Sequence, residues 1–346
     1  MNPIAVLGAG NSGLAMAAHL AMEGHQVNLW NRWPDMLEGL LQIPCIKVSG
    51  VINGEASLAL VSSDINEVVK GVSTILVATS ANAHCDIAEL LAPCATDDMF
   101  IVLNPGRTFG ALEFNAKLKE HGCLNNPLVV ETQTIIYTCR KTDLNQVSIL
   151  AFKHDVLYSA VDHELNISLL ERFPTCLRPF FTPADSMIET SIGNVGMILH
   201  CAPVLLNSGW IESPCTQFKY YYEGITPSVA NLLEKLDAER LQVAQLLGHP
   251  IESTADWLRR SYGVQGKNLY ECIQNNPAYQ TIDAPNSLQH RYILEDVSCG
   301  LVPLEAVGLS LGVPMNTCGL VINLANAMLE MDFRKIGRTI VPLNFR

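Results

Sequence analysis

A histidine interrupts the apolar stretch GNVGMILHCAP (193–203), just past the middle of the chain. An imidazole titrates near neutral pH, which suits proton transfer at a carbonyl or an amine. On a helix, Gly193, Gly196 and His200 would share one face, and the two glycines would leave a shallow floor for a flat ring. The other interpretation is helix packing over the glycines, with His200 as a hydrogen-bonded core residue. Taken alone, this stretch favours the core residue.

Charged residues downstream could complete a proton-transfer site around this histidine. A catalytic histidine usually needs a carboxylate that fixes its tautomer and stabilises its charged form. Glu295 and Asp296 lie in HRYILEDVSCGLVPLEAVG (290–308), before a predicted Gly/Pro turn that opens a helix. Arg291 could hold a substrate carboxylate with paired hydrogen bonds. The acids could equally be exposed charges or helix-entry anions, and the arginine could belong to a surface ion pair.

A glycine motif near the first residue predicts a dinucleotide site. Residues 3–7 form a predicted buried strand, GAGNSG follows directly, and an Ala-rich helix ends at Gly24. In this motif the first glycine permits a tight turn, the second admits the pyrophosphate, and the third allows close helix packing, while the helix N-terminus attracts the anion. A glycine turn without a ligand is the alternative. The predicted cofactor-binding residues of the loop are Gly8, Gly10, Asn11, Ser12 and Gly13.

The end of the second predicted strand, HQVNLWNR (25–32), indicates which cofactor binds. An NAD site usually has Asp or Glu there, which binds the ribose 2′-hydroxyl. This chain has Asn31 and Arg32, and the next carboxylate is Asp35. Because a guanidinium can grip a 2′-phosphate with paired hydrogen bonds, the sequence favours NADP(H) over NAD(H). A solvated surface arginine would give the same pattern.

The elements that must position these residues fall into two parts. Strand and helix patterns alternate up to about residue 185, which predicts a parallel sheet covered by helices. Further strands are predicted at 73–80, 98–105 and 127–138, and 147–153 is expected to continue the sheet. Apolar residues then recur at helical spacing through 190–212, 224–248 and 303–332. We predict an α/β protein with an N-terminal Rossmann dinucleotide-binding domain (1–185) and a mostly α-helical substrate domain (186–346).

Composition excludes several classes of function. The net charge of −12 and the lack of a basic run exclude a nucleic-acid partner. Eleven cysteines without a CxxC pair indicate reduced thiols rather than a disulfide framework or a metal site. The first residues lack a signal peptide, and no apolar stretch is expected to reach the roughly 20 residues of a membrane span, so we expect a cytoplasmic protein. The apolar helices at 303–332 could form a homodimer face or the core.

The motifs, in this order, resemble those of the opine dehydrogenases, the octopine and nopaline dehydrogenase family, over nearly all of the chain. The resemblance rests on GAGNSG, LNPGRTFGALEF, NVGMILHCAP, YYYEGITPSVANLLEKLDAERLQVAQLLG and RYILEDVSCGLVPLEAVG. It implies an NAD(P)H-dependent reductive condensation. The amine of an amino acid and a 2-oxo acid, often pyruvate, form an imine that is reduced to a secondary amine dicarboxylate.

The resemblance also implies roles for individual residues. His200 would transfer a proton at the substrate carbonyl or amine, and Asp296 would orient its imidazole. Arg291 would hold a substrate carboxylate. Cys139 and Arg140 resemble a Cys-Arg pair near the oxo-acid site, although the pair could also be strand core.

Other positions match the family less closely. Asn194 stands where related dehydrogenases place a polar residue near the nicotinamide, and it could also cap a helix. A proline is expected directly after the histidine, but Cys201 is there and Pro203 follows two residues later. Asn31 and Arg32 differ from the acidic strand end of NADH-using members.

Two other functions fit part of the pattern. A 2-oxo-acid or 3-hydroxyacid reductase of the ketopantoate reductase type relies on a lysine at the start of its helical domain. No lysine stands between Lys153 and Lys219, which favours the opine dehydrogenase hypothesis. A sensor that binds NADP(H) without turnover would need the glycine loop but not His200, Asp296 and Arg291 together.

Overall fold

The computed structural model describes residues 2–338, which form two compact units. The first unit ends at Ser191 and the second begins at Ile192. The sequence placed the domain change at residues 185 and 186, and the functions assigned to 1–185 and 186–346 stay predictions.

The first unit contains twelve strands and seven α-helices among the described residues. The strands are β1 (Ile4–Leu7), β2 (Val27–Trp30), β3 (Cys45–Gly50), β4 (Gly54–Ser57), β5 (Leu60–Ser62), β6 (Thr74–Val77), β7 (Phe100–Leu103), β8 (Leu128–Thr132), β9 (Tyr137–Asp143), β10 (Gln146–Phe152), β11 (Val156–Ala160) and β12 (Phe181–Pro183). The helices are α1 (Asn11–Met22), α2 (Glu38–Gln42), α3 (Ile65–Val69), α4 (His84–Leu91), α5 (Gly110–Glu120), α6 (Asn166–Leu169) and α7 (Met187–Ser191).

An eight-stranded sheet forms the centre of this unit, in the order β12-β11-β8-β7-β6-β1-β2-β5. The run from β8 to β5 is parallel, and β11 pairs with β8 in the antiparallel direction. All four residues of β1, β2 and β7 are buried, as expected for parallel strands covered on both faces. The strand order reverses at β1, between β2 and β6, which is where an open α/β sheet binds its ligand.

A second sheet, in the order β4-β3-β10-β9, packs against helix α1. The expectation that 147–153 continues the main sheet is wrong. A two-residue turn joins β10 to β9 as a hairpin, and β10 also pairs with β3, so its hydrogen bonds are used within the smaller sheet. The predicted strand 127–138 is likewise two elements, because β8 ends at Thr132 and β9 begins at Tyr137.

The second unit is helical in its described part. Its helices are α8 (Gly196–Leu199), α9 (Cys201–Leu206), α10 (Ser208–Ile211), α11 (Pro227–Leu246), α12 (Thr254–Tyr262), α13 (Leu269–Gln274), α14 (Arg291–Leu294), α15 (Val302–Ser310), α16 (Asn316–Leu329) and α17 (Phe333–Ile336), and a π-helix spans Val297–Leu301. Helix α11 begins with the Thr226 hydroxyl accepting from Val229 N, and Gly248 follows its end with φ +85°. These are the start and stop signals that the sequence shows.

Helix α11 is fixed in the second unit by a buried guanidinium. Arg240 is fully buried, and its Nε donates to Asp237 Oδ1 at 2.8 Å. Its terminal nitrogens donate to the carbonyls of Ile192 and Glu252, each at 2.9 Å. A buried charge is tolerated when it is paired and hydrogen-bonded in this way. The arginine therefore ties the start of the unit and the loop after α11 to this helix.

The stretch 190–212, whose apolar residues recur at helical spacing, is divided among several short helices, α7, α8, α9 and α10. The 20-residue segment Met187–Leu206, which overlaps this stretch, contains an 18-residue window with a mean hydropathy of 1.2, and by length and composition alone it could cross a membrane. The expectation that no stretch reaches this length is therefore wrong. Of that window, 83% is buried inside the protein, as is common for a core segment.

Candidate active site

The glycine loop follows β1, and its three glycines have different surroundings. Gly8 has φ +118°, and its N–H donates to Trp30 O of β2 at 2.8 Å. A Cβ on Gly13 would stand 1.8 Å from Gly8 O, so only glycine lets α1 start this close to the loop. By contrast, nothing lies within 4 Å of a Cβ built on Gly10. The loop is thus rigid at Gly8 and Gly13 and open at Gly10, which fits a pyrophosphate approaching the first turn of α1.

The two polar side chains at the end of β2 make hydrogen bonds within the first unit. Asn31 Oδ1 accepts from Trp33 N at 2.9 Å, which makes a local turn. Arg32 Nη1 donates to Asp86 Oδ2 at 2.7 Å, and the side chain is 39% exposed. A carboxylate on α4 therefore holds a solvent-accessible guanidinium at the strand end where a ribose 2′-substituent binds in this fold.

His200 and Asp296 are brought together within the second unit. His200 Nδ1 lies 2.8 Å from Asp296 Oδ2, while the side chains are 13% and 0% exposed. A buried carboxylate on Nδ1 fixes the orientation and tautomer of the imidazole, so proton exchange with a substrate would use Nε2. Of the two acids that the sequence offered, Asp296 is therefore the one that contacts the imidazole.

The backbone around His200 explains why the helix breaks there. Pro203 has no N–H, so the Leu199 carbonyl four residues earlier cannot receive its usual helical hydrogen bond. The hydroxyl of Tyr220 donates instead, at 3.2 Å to Leu199 O and 2.7 Å to His200 O. Burial raises the pKa of Tyr220 well above its ordinary value, so the hydroxyl stays protonated and available as a donor.

The first turn of α8 corrects the predicted glycine face. Asn194 Oδ1 accepts from Gly196 N at 2.9 Å, and a new helix begins at Gly196. Gly193 precedes this start and lies in a turn. The predicted single helical face of Gly193, Gly196 and His200 is therefore wrong. His200 instead occupies the joint between α8 and α9, with φ −105° and ψ −55°.

Comparison with known proteins identifies the family of this chain. The family model for the NAD/NADP octopine/nopaline dehydrogenase alpha-helical domain matches residues 183–329, and the model for the NAD-dependent glycerol-3-phosphate dehydrogenase N-terminus matches residues 3–106. An opine dehydrogenase of Arthrobacter sp. (strain 1C) is 38% identical over 340 residues, with 98% of this chain and 94% of that protein covered. The chain belongs to the opine dehydrogenase family.

Solved structures of opine dehydrogenases share the fold. Octopine dehydrogenase in complex with NADH and agmatine superposes with a TM-score of 0.78 at 19% identity, covering 95% of this chain and 90% of that one. Yersinopine dehydrogenase with NADP+ bound gives a TM-score of 0.80 at 14% identity, covering 97% and 93%. The predicted α/β class, a Rossmann unit followed by a helical domain, is confirmed.

Membership of the opine dehydrogenase family establishes the type of enzyme. The chain is an NAD(P)-dependent oxidoreductase that acts on CH–NH groups, and its type of reaction is the reductive condensation of an amino acid with a 2-oxo acid. Both NADH and NADP+ occur in the structures of relatives, so the family alone does not select one cofactor.

Tyr292, which follows Arg291 in the sequence, packs against the ring of His200. The rings of His200 and Tyr292 are stacked, with centroids 3.9 Å apart and an interplanar angle of 11°. His290 meets Tyr292 edge-on, and its Nδ1 accepts from Tyr292 N at 3.3 Å. Burial, followed by the charges of Arg291 and His200, lowers the pKa of His290 to about 4, so it is a neutral acceptor near neutral pH. Tyr292 therefore fixes the plane of the His200 imidazole, in addition to the contact with Asp296.

Arg291 itself lies at the surface of the second unit. Its Nη1 is 3.7 Å from Glu295 Oε2, and the two side chains are 55% and 3% exposed. Its guanidinium carbon lies 5.2 Å from the centroid of the Tyr292 ring. The arginine thus makes a loose ion pair next to the histidine's stacking partner, and its role toward a substrate carboxylate stays a prediction.

The segment after Asp296 is helical throughout, which makes the predicted Gly/Pro turn wrong. A π-helix spans Val297–Leu301 and passes directly into α15. Pro303 lies in the first turn of α15, where a helix tolerates a residue without a backbone N–H. A Cβ on Gly300 would stand 2.9 Å from Met197 Cβ of α8. The glycine therefore permits α8 and the π-helix to approach closely, which brings the histidine and the aspartate within hydrogen-bond distance.

The predicted Cys-Arg pair lies on β9 in the first unit. Cys139 is partly buried and packs against the core of that unit, while Arg140 is exposed on the opposite face of the strand. Alternation along a strand places neighbours on opposite faces. Cys139 and Arg140 therefore do not share one face of the strand. The contact of either side chain with an oxo acid stays a prediction.

A buried glutamate that the sequence analysis did not single out holds the LNPGRTFGALEF segment. Glu131, fully buried on β8, accepts from Ala111 N in the first turn of α5 at 2.8 Å. It also accepts from the hydroxyls of Thr190, at 2.9 Å, and Ser191. A carboxylate is favourable at a helix N-terminus because of the helix dipole. The only sequence signal was an acid in an otherwise apolar strand.

Proposed function

We propose that this chain catalyses the NADP(H)-dependent reductive condensation of an amino acid with a 2-oxo acid. The same residues would catalyse the reverse oxidation. The amine and the oxo group lose water to form an imine, and addition of a hydride and a proton gives a secondary amine dicarboxylate. When bound, NADPH supplies the hydride. The observation that carries the proposal is the contact of 2.8 Å between His200 Nδ1 and the buried Asp296 Oδ2.

His200 is the proton-transfer residue in this proposal. Imine formation requires protons to move at the amine nitrogen and at the oxygen that leaves as water, and an imidazole can do both near neutral pH. Asp296 does not touch the substrate. It holds the ring in one tautomer and stabilises the positive charge that develops when Nε2 takes up a proton.

Other residues complete the proposed substrate site. Arg291 holds a substrate carboxylate, because a guanidinium forms paired hydrogen bonds with that group. We further assign Asn194 to nicotinamide binding and Cys139 to the oxo-acid site. We assign cofactor binding to residues 1–185 and substrate chemistry to residues 186–346. The protein is proposed to work in the cytoplasm, with a homodimer as its assembly.

The direct test measures NADPH oxidation across pairs of amino acids and 2-oxo acids. We expect oxidation only when both substrates are present, with a secondary amine dicarboxylate as the product detected by mass spectrometry. Reduction of the 2-oxo acid without an amine would instead show a hydroxyacid reductase. Tight NADPH binding without turnover in any pair would show a sensor. Either result would contradict the proposal.

The cofactor preference rests on Arg32, whose guanidinium is exposed and fixed by Asp86. Replacing it (Arg32→Gln) should weaken NADPH binding roughly 10- to 100-fold, the loss typical of a hydrogen-bonded charge pair, and leave NADH binding nearly unchanged. Fluorescence titration of each cofactor measures both. Arg172, an exposed arginine of the same unit, gives the matched control, Arg172→Gln. An unchanged ratio of NADPH to NADH affinity in Arg32→Gln would refute the preference.

A further inference from the structure

Strand β9 lies along helix α1 and presents alternate residues to it. Tyr137 and Cys139 are buried or partly buried, and Lys141 continues the same face, whereas the residues between them are exposed. The Tyr137 hydroxyl is 3.1 Å from His19 Nδ1, near the end of α1. The smaller sheet is therefore anchored to the helix that begins at the glycine loop, and its face leads toward that loop.

Lys141 is the residue of this face that meets the glycine loop. Its backbone N–H donates to Asn11 Oδ1 at 2.7 Å, in the first turn of α1. Its ammonium donates to the carbonyl of Ala9 at 3.2 Å, between Gly8 and Gly10. The predicted cofactor residue Asn11 thus uses its side chain to hold β9, and a cation lies at the open part of the loop.

The local charge balance at this lysine is incomplete. An ammonium has three donors, and in the part of the chain that the structure describes, that of Lys141 has a backbone carbonyl as its hydrogen-bond acceptor and no carboxylate as an ion-pair partner. Partial burial lowers the pKa of Lys141, against a smaller opposing effect of Asp143. A partly buried charge without a counter-charge is costly, so an anion placed here would be stabilised.

A cation beside the glycine loop would complement the charge of a bound pyrophosphate. The loop residues GAGNSG carry no cation of their own, so they offer a pyrophosphate only backbone N–H groups and the helix dipole, which is worth a modest amount at an exposed end. A lysine side chain is long and flexible, so its ammonium can exchange a carbonyl acceptor for a phosphate oxygen.

We propose that Lys141 is a cofactor-binding residue whose ammonium leaves Ala9 O and pairs with the pyrophosphate of NAD(P)H at the glycine loop. The inference rests on the proposed cofactor site, but not on the proposed substrates or on Arg32. The pyrophosphate is common to NADH and NADPH, so Lys141 adds affinity for both cofactors without choosing between them. The second sheet supplies the charge that the Rossmann loop lacks.

The test compares Lys141→Met with Lys47→Met, which makes the same change at an exposed lysine of β3 in the same sheet. Affinities for NADPH and NADH are measured by fluorescence titration and that for ADP-ribose, which has the pyrophosphate but no nicotinamide, by calorimetry. We expect Lys141→Met to weaken all three by a common factor of roughly 10 to 100, and Lys47→Met to change none. Lys141→Arg should recover most of the affinity.

A purely structural lysine would give a different result. The thermal midpoint of the free protein and the salt dependence of NADH binding are measured for each variant. If Lys141 contacts the pyrophosphate, binding by Lys141→Met loses part of its salt dependence, because fewer charges are paired. Unchanged affinities, an equal salt dependence, or a loss confined to NADPH would each overturn the inference. An unchanged ratio of NADPH to NADH affinity in Arg32→Gln, with Lys141→Met behaving as expected, would refute the proposed cofactor preference and leave the role of Lys141 supported.

Discussion

Replacing His200 by asparagine should reduce kcat for reductive condensation roughly 100- to 10,000-fold, the range typical of a lost general acid–base group. The amide is shorter than the imidazole and does not titrate, but it can still donate a hydrogen bond toward Asp296 Oδ2, which now lies 2.8 Å from Nδ1. The variant should therefore fold. Its affinity for NADPH should stay unchanged, because the glycine loop belongs to the other compact unit.

The measurement for His200→Asn is steady-state NADPH oxidation with a substrate pair that the wild type uses, together with the NADPH dissociation constant. His249→Asn makes the same change in the same unit, at a partly buried histidine after α11, and should keep the wild-type rate. A kcat within about threefold of wild type in His200→Asn would remove this histidine from the chemistry, since general acid–base catalysis is worth far more.

The nucleotide loop could be predicted because its requirements are local. Gly8, Gly10 and Gly13 are close in sequence, and the turn and helix that they form constrain Gly8 and Gly13 directly. The signals at the ends of α11 are local too, and the structure follows them. Arg32 follows the end of β2, as its position in the sequence predicts. Its partner Asp86 comes from α4, which the sequence does not link to this strand.

The smaller sheet could not be predicted in the same way. Strands β3 and β4 are partly exposed, so they lack the continuous apolar run that marks the buried parallel strands. Strand β10 has a recognisable run, but its residues do not specify the strand with which it pairs. Lys141 illustrates the consequence, because its position at the glycine loop depends on pairing within this sheet.

The surroundings of His200 depend on contacts from distant parts of the chain. The sequence contains Pro203, which indicates a break in hydrogen bonding, but the donor that replaces the missing N–H comes from Tyr220. The ring that stacks on the imidazole comes from Tyr292, in the segment that also carries Asp296. Both tyrosines lie in motifs that support the family resemblance, YYYEG and RYILED. Their roles follow from packing, which spacing in sequence does not specify.

Replacing Asp296 by asparagine should lower kcat roughly 100- to 10,000-fold, with little change in KM or in NADPH affinity, because the residue positions the imidazole rather than the substrate. The amide is nearly isosteric, so contacts around the fully buried side chain are largely kept while the charge is lost. Glu305→Gln removes another buried carboxylate of the same unit, one that pairs with Arg334 Nε at 2.6 Å. It should reduce the thermal midpoint but keep kcat, which separates lost stability from lost chemistry.

The double variant His200→Asn/Asp296→Asn decides whether Asp296 acts through the histidine. Groups that work as a unit show strongly non-additive effects, so the double variant should lose little more activity than His200→Asn alone. If the two losses instead multiply, Asp296 contributes to catalysis independently of the imidazole, and the contact between Nδ1 and Oδ2 is not the origin of its effect. The conservative Asp296→Glu variant should have a higher kcat than Asp296→Asn if its longer side chain still reaches Nδ1. A carboxylate at that position supplies both the charge and the hydrogen bond.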